Sequence, residues 1–565
     1  MYVTAVPNRN SPPAVLVRES YRVDGKVKNR TVANLTGLPE EAIEAVRMAL
    51  KGKPTGALSD RFSILSSKPH GHVEALKAVI KRLKLDNIID TKPSQQRALI
   101  VALVAARVLR PASKLATSRW CSDTTLPEVF GLQDVDTSAI YAAMDWLADK
   151  QEVIEKRLAR RHLEDGSQVF YDLSSTWVEG TKCPLARFGY SRDGKLGKQQ
   201  INFGLVTDKD GRPVSVTVYP GNQADPTTLQ EQVDKLRTQF GLQSVTLVGD
   251  RGMVTQAHVD AFSKDDGIRW ITALKSSGLR KLKAEGSLQL ELFDQRNLFE
   301  LESPEYPGER LVACRNPHLA ERRRFKREAL LDETRVHLDK VFRAVATGRL
   351  YGKAKIGLRV GRILNRFKMG KHFNLEIEDD AFFYSVNRRR VEEEASLDGI
   401  YVIRTNAPAD ALSSQDAVRS YKRLTRVEKA FRSLKTASLD VRPIHHHRER
   451  RVRAHFLLCL LAYYVEWHLR QAWAPLLFGQ EHDASQNRDP VAPASPPQEA
   501  VEKALTKKTV DGHTVHSFRT LLEHLGTQTR NLCQPKGLQT KHTFALVSEP
   551  NDLQRRAHAL LKTVS

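Results

Sequence analysis

Paired cysteines are missing from this chain. The five that occur, Cys121, Cys183, Cys314, Cys459 and Cys533, are odd in number, far apart and form no CxxC. That excludes a disulfide framework and a clustered zinc site. Long apolar runs are missing too, since the longest, Phe456 to Val465, is too short to span a bilayer. The opening MYVTAVPNRNSPP has no basic start followed by an apolar stretch, so no signal peptide is expected and the reducing cytoplasm is the expected compartment. No GxxxxGK[ST] occurs (TGRLYGKAKIG has neither the spacing nor the Ser/Thr), which removes support for ATP-driven helicase or kinase chemistry. No internal repeat is evident.

What the chain has in excess is positive charge. Its 565 residues carry 89 Lys and Arg against 66 Asp and Glu, a formal net of +23. Such an excess suits a polyanionic partner, nucleic acid first, with a membrane surface or a ribosome as the other options. At 41% hydrophobic and 27% charged, the chain can bury cores. Its length calls for roughly three or four domains.

The start reads as a β-hairpin, AVLVRESYRV and KVKNRTVANL joined by Asp24-Gly25. From Glu74 to Arg161 the pattern is helical and basic, either a DNA-binding module or a bundle that packs on the next domain. A strand ending near Asp172 follows, then the pair KQQINFGLVTD and PVSVTVYPGN, then a helix opened by Asp225-Pro226. The strand SVTLVGD, the helix VTQAHVDAFSK and the strand IRWITAL complete the series. Three strands, helix, strand, helix, strand is the order of an α/β ribonuclease-H-like core that still lacks its last helix. The boundaries read as 1–65 for the hairpin region and 66–165 for the helices. The core occupies 166–275 and 401–474, interrupted by a mixed β-rich insertion at 276–400. Residues 475–565 read as a mobile Pro/Ala/Ser/Gln linker and a small helical tail.

Three carboxylates stand out. Asp172 and Asp250 lie at the ends of short apolar runs, where an aspartate is expensive to bury unless a cation or hydrogen-bond donors meet it. The ordinary alternative for either is a turn-former or helix cap. Glu428 borders the apolar stripe Leu424, Val427, Phe431 and Leu434 of an amphipathic helix. Tyr421 lies two turns before it, Arg432 one turn after, and Lys435 about 10 Å along the axis. That flank suits either metal and phosphate binding or a plain Glu428–Arg432 ion pair on a solvated face. Glu179 is a weaker competitor for the same role. His445, His446, His447 and His455 suggest a metal, but their cationic surroundings favour a DNA-facing or solvated segment.

Several segments resemble the insertion-sequence transposases of the DDE class that carry a β-rich insertion between the second aspartate and the glutamate. They are YDLSSTWVE, FGYSRDGKLGKQQINFGLVTDKDGRPVSVTVYPGNQAD, TLVGDRGM, LDGIYVIRTN and YKRLTRVEKAFRSLKTASLDVRPIHHHRERRVRAH, with the hairpin ESYRVDGKVKNRTVANL. The resemblance implies that Asp172, Asp250 and Glu428 form a catalytic triad binding Mg²⁺, with Mn²⁺ as a substitute. It implies DNA contacts through Tyr421, Lys435, Arg432, Arg251 and Arg426. Of the class's Tyr–Arg–Glu–Lys signature, Tyr421, Glu428 and Lys435 are in place, and the arginine position holds Leu424. The expected partners are the element's terminal inverted repeats and target DNA, engaged by a homodimer in the bacterial cytoplasm, at the nucleoid, with no membrane. The alternatives are a structure-specific nuclease of the same fold and an inactive, transposase-derived DNA-binding protein.

Overall fold

The computed structural model describes residues 1–9, 11–52, 62–133, 135–294, 297–436, 438–479, 489–492, 497–536 and 543–564. They divide into two units, residues 1–71 with 526–550, and residues 72–525 with 551–565. The linker expected after Trp473 falls largely outside the described residues.

In the first unit, β1 (Tyr2–Val6), β2 (Ala14–Val23) and β3 (Lys26–Asn34) form an antiparallel sheet. Asp24 and Gly25 both take positive φ, the backbone of the tight turn that matches the twist of the flanking strands. A second sheet joins β4 (Phe62–Pro69) to the tail strands Thr529–Pro535 and Phe544–Val547. The tail is therefore not wholly helical. Neither tail run is long enough to declare a period by itself, and Thr529–Pro535 becomes a strand by pairing with Phe544–Val547 on one side and with β4, far upstream, on the other.

The second unit is built around one eight-stranded sheet. Its core strands are β5 (Gln168–Trp177), β6 (Gln200–Thr207), β7 (Pro213–Pro220), β8 (Val245–Gly249) and β9 (Ile268–Ala273). They lie in the order β7-β6-β5-β8-β9, with the first three antiparallel and β5, β8 and β9 parallel. This is the ribonuclease-H-like arrangement. Every residue of β6 is buried, which is why QINFGLVT carries no polar face: elements cover the sheet on both sides.

The insertion contributes to the same sheet. β10 (Leu298–Leu301) and β11 (Arg310–Arg315) precede a thirty-residue helix, Pro317–Ala346, and a second helix, Lys353–Phe367. β12 (Phe373–Ile377) and β13 (Phe382–Val386) pair as a hairpin, and together with the two helices they enclose a separate core of Leu338, Val341, Val345, Ile356, Val360, Phe373 and Phe382. β14 (Ile400–Thr405) then returns to pair with β9 on one side and β11 on the other. The sheet thus runs without a break from the core into the insertion.

Two helices close the core. Helix Leu424–Lys435 lays Val427, Ala430, Phe431 and Leu434 on the sheet. Phe203 of β6 meets Phe431 edge-on at 5.3 Å and Phe456 at a tilt at 4.7 Å between ring centroids, contacts worth about 0.5–1.5 kcal/mol each beyond their burial. Phe456 belongs to helix Glu449–Ala472, whose run Val452 to Val465 is almost wholly buried because Gln95–Leu109 and Thr137–Asp149 of the helical segment pack on its far side. An all-round apolar helix is the mark of such a position. Among the described residues no helix is long and apolar enough to cross a membrane. Replacing Phe431 with Ala is expected to cost about 3–5 kcal/mol, read as a clear fall in Tm against the parent protein.

Candidate active site

The parallel register of β5 and β8 pairs Val169 with Leu247, Phe170 with Val248 and Tyr171 with Gly249. The next residue on each strand is Asp172 and Asp250, so the two carboxylates stand abreast where β8 ends. β5 itself continues to Trp177, paired with β6, and Asp172 is mid-strand, not at a strand end as its sequence context suggests. On the face that Asp172 shares with Ser174, the cross-strand neighbour of Ser174 is Phe203, the ring that seats Phe431. The Glu428 helix therefore covers the Asp172 face.

Asp172, Asp250 and Glu428 all line one cavity of about 470 Å³. Tyr401 of β14 lines it too, as do Arg251, Ser276 and Arg323. Asp172 Oδ1 accepts from its neighbour Leu173 N–H at 2.8 Å. Asp250 Oδ1 accepts from Arg251 N–H at 2.7 Å and from the Tyr421 hydroxyl at 3.3 Å. Its backbone carbonyl takes the Thr272 hydroxyl at 3.1 Å. Among the described residues no donor reaches the second oxygen of either aspartate or either oxygen of Glu428, and none of the three is in an ion pair. The Glu428–Arg432 pair that helical spacing allows is not formed, and both side chains are exposed.

Burial raises the Asp172 carboxyl to about 7, and the charge of Asp250 pushes the same way; Leu173 N–H and the more distant Arg192 oppose it. Burial, reinforced by Asp250, also drives the Tyr421 phenol well above its ordinary range, so it remains a donor to Asp250. Like charges close together resist simultaneous ionisation. Among the described residues no three His, Cys, Asp or Glu side chains are gathered tightly enough to hold a metal ion. The three carboxylates share the cavity without converging on one point. As a donor set they fit a hard divalent cation: all are carboxylate oxygens, and none is in an ion pair among the described residues.

The other sequence candidates separate. Arg251 is exposed on the cavity wall, and Arg432 is exposed and unpaired among the described residues. Tyr421 sits on its own helix, Ser414–Lys422, which stops at Arg423 before the Glu428 helix begins, so it reaches the cavity from a second element. Leu424, at the signature's arginine position, lines the same wall. Lys435 does not face solvent: its side chain is 10% exposed and bonded to Asp193, itself 7% exposed, at 3.0 Å. Arg442 joins them at 2.7 Å. Arg426 is likewise engaged, with Asp210 and the Lys209 carbonyl. Glu179 is held by Lys198 and the Trp177 indole N–H, and it does not line the cavity.

The histidines need correction. His445 and His447 are exposed as expected, but His455 is buried against the Val441 carbonyl, and His446 is drawn in beside it. Burial next to Lys114 lowers His446 to about 3, so it is neutral, and it is neither a solvated cation nor part of a metal cluster among the described residues. Nothing in the spacing of the sequence ties Arg323 to the site. Only the fold of the insertion brings it there.

A family model described as the transposase DDE domain matches residues 170–465, a little over half of the chain. Another, described as the IS1634 family transposase N-terminal domain, matches residues 3–60. Among solved structures, a piggyBac transposase synaptic complex with hairpin DNA, determined by cryo-EM, is 9% identical at a TM-score of 0.34, over 80% of this chain and 77% of that one. No protein with a curated description matches.

Two outcomes are expected from this geometry. Asp172 is ionised in the unfolded chain above about pH 4 but in the folded chain only above about pH 7. Between those values the folded state binds the extra proton, and stability falls as pH rises. Asp172→Asn removes that loss: it should raise stability by about 2–4 kcal/mol at pH 8, with the gain vanishing near pH 4 in thermal melts across the range. Asp193→Ala strands Lys435 and Arg442 and should cost about 3 kcal/mol, measured the same way.

Proposed function

The chain belongs to the DDE transposase family, and from that membership we propose that Asp172, Asp250 and Glu428 are the carboxylates with which this DNA transposase performs its chemistry. The observation that carries the reading is one cavity wall bearing three carboxylates from β5, β8 and the closing helix. Among the described residues none of the three is in an ion pair. Evolution rarely leaves like charges so placed unless something else neutralises them.

The reaction is phosphoryl transfer. Water adds to the phosphorus at the element end, and the 3′ oxygen departs with a proton. The 3′-hydroxyl so released then attacks a phosphorus of target DNA and displaces a second 3′ oxygen. Asp172, Asp250 and Glu428 would hold Mg²⁺, or Mn²⁺ in its place, and the ion would supply Lewis acidity to this transfer. The chain's own groups do the rest. Tyr421 orients Asp250 through its hydroxyl. The exposed Arg251 and Arg432, with Arg323 on the cavity wall, offer charge-assisted hydrogen bonds to backbone phosphate, which set affinity and register without reading sequence. Lys435 and Arg426, tied to Asp193 and Asp210, position the Glu428 helix. Two element ends call for two chains in the working complex, acting in the cytoplasm on nucleoid DNA.

The test is Mg²⁺-dependent cleavage and joining of a duplex carrying the element's own end, with Glu428→Gln as the variant. The parent protein should nick the end and join it to target. Glu428→Gln should still bind DNA but lose more than the ~100-fold typical of an outer-shell partner of a metal site. Equal activity in both proteins removes Glu428 from the site. Nicks without joined product favour a structure-specific nuclease, and binding without cleavage by either favours an inactive descendant.

A further inference from the structure

Between β5 and β6 the chain makes a loop, ARFGYSRDGKLGKQ, that leaves large apolar side chains in water. Phe188 is 69% exposed, Tyr190 79% and Leu196 92%. A single exposed apolar side chain needs no explanation, but two aromatics and a leucine on one short loop are of the kind that marks a binding surface.

The loop is anchored at several points. Arg187 and Gln200 exchange both backbone hydrogen bonds, at 3.1 and 2.7 Å. Gly189, between the two rings, lies so close to Gly221 that a Cβ would strike the Gly221 carbonyl. The backbone carrying Phe188 and Tyr190 is therefore seated, and their rings stand out from it. Arg192 N–H is accepted by Ser175 Oγ at 3.0 Å, its guanidinium is paired with Asp225, and it lies 5.9 Å from the Tyr190 ring. Asp193 holds Lys435 and Arg442. These anchors reach the elements of the proposed active site. Ser175 is three residues beyond Asp172 on β5, and Lys435 is two turns beyond Glu428 on its helix.

The charge of the loop points to its occupant. Its one acid, Asp193, is taken up by Lys435 and Arg442 outside the loop, while Arg187 has no acidic partner among the described residues and Lys195 sits 5.2 Å from the Trp177 ring. Aromatic faces interleaved with cations, on a loop anchored to the strand of Asp172 and the helix of Glu428, match a nucleobase attached to a phosphate backbone. A fully paired duplex presents no free base face, so the base must leave its stack, at a cost of a few kcal/mol that a stacking partner offsets.

We propose that this loop is a base-stacking platform, on which Phe188 and Tyr190 receive a base unpaired beside the scissile phosphate. The inference rests on the catalytic reading above for its location, but stacking itself does not require cleavage. Opening the duplex there would let the strand enter the cavity, and the loop would so help to select the cleavage position.

The experiment uses the full chain and element-end duplexes carrying 2-aminopurine next to the scissile phosphate, either fully paired or mismatched at that position. Binding of the parent protein should change the 2-aminopurine fluorescence of the paired duplex. Phe188→Leu and Tyr190→Leu should lose that change, while Tyr190→Phe keeps it. On the paired duplex each Leu variant should cleave roughly ten- to a hundredfold more slowly, and the mismatch should restore most of the rate. A fluorescence change that persists in both Leu variants, or an equal defect on paired and mismatched DNA, overturns the proposal. If the parent protein cleaves neither duplex yet gives the Phe188- and Tyr190-dependent signal, the platform stands and the catalytic reading falls.

Discussion

Two aspartates side by side on parallel strands constrain everything around them. The β5–β8 register places Asp172 next to Asp250, in a setting where burial pushes one of them toward neutrality. The mutual repulsion has to be overcome by the rest of the core, which supplies backbone donors, a tyrosine hydroxyl and a heavily buried sheet, with no ion pair to either aspartate among the described residues. A fold that spends stability in this way keeps its anionic oxygens available.

Holding Glu428 in range falls to two interactions of different kinds. The contacts of Phe203 with Phe431 and Phe456 fix how the helix sits on the sheet, and the Asp193–Lys435–Arg442 cluster pins its far end to the loop after β5. The first is non-directional burial and the second a nearly desolvated ion pair, which specifies geometry more than it adds net stability. Because that loop also carries Phe188 and Tyr190, the carboxylates and the exposed rings share one mechanical frame. A change to Asp193 would be felt at both.

The insertion is integrated with the core. Its strands β10 and β11, with β14, extend the central sheet, and its long helix brings Arg323 to the cavity wall. A segment that interrupts the core in sequence thus completes the site in space, through hydrogen bonds between β14 and β9.

Much was legible in the sequence. Asp24-Gly25 between alternating runs specifies its hairpin because only residues tolerant of positive φ suit that turn. The apolar runs before Asp172 and Asp250 mark buried strands, and the period of Val427, Phe431 and Leu434 orients the Glu428 helix, since each depends on local spacing alone. What local spacing could not reveal was decided by partners distant in the chain. Lys435 reads as a solvent-facing cation until Asp193 and Arg442 enclose it. His455 reads as part of a polar stretch until the bundle helices bury it. The single helix expected to carry both Tyr421 and Glu428 breaks at Arg423, and the helical tail gains strands because β4 offers them an edge. Pattern and propensity are properties of neighbours along the chain, whereas burial, ion pairing and strand partnership depend on which distant residues arrive, and those the tertiary structure alone selects.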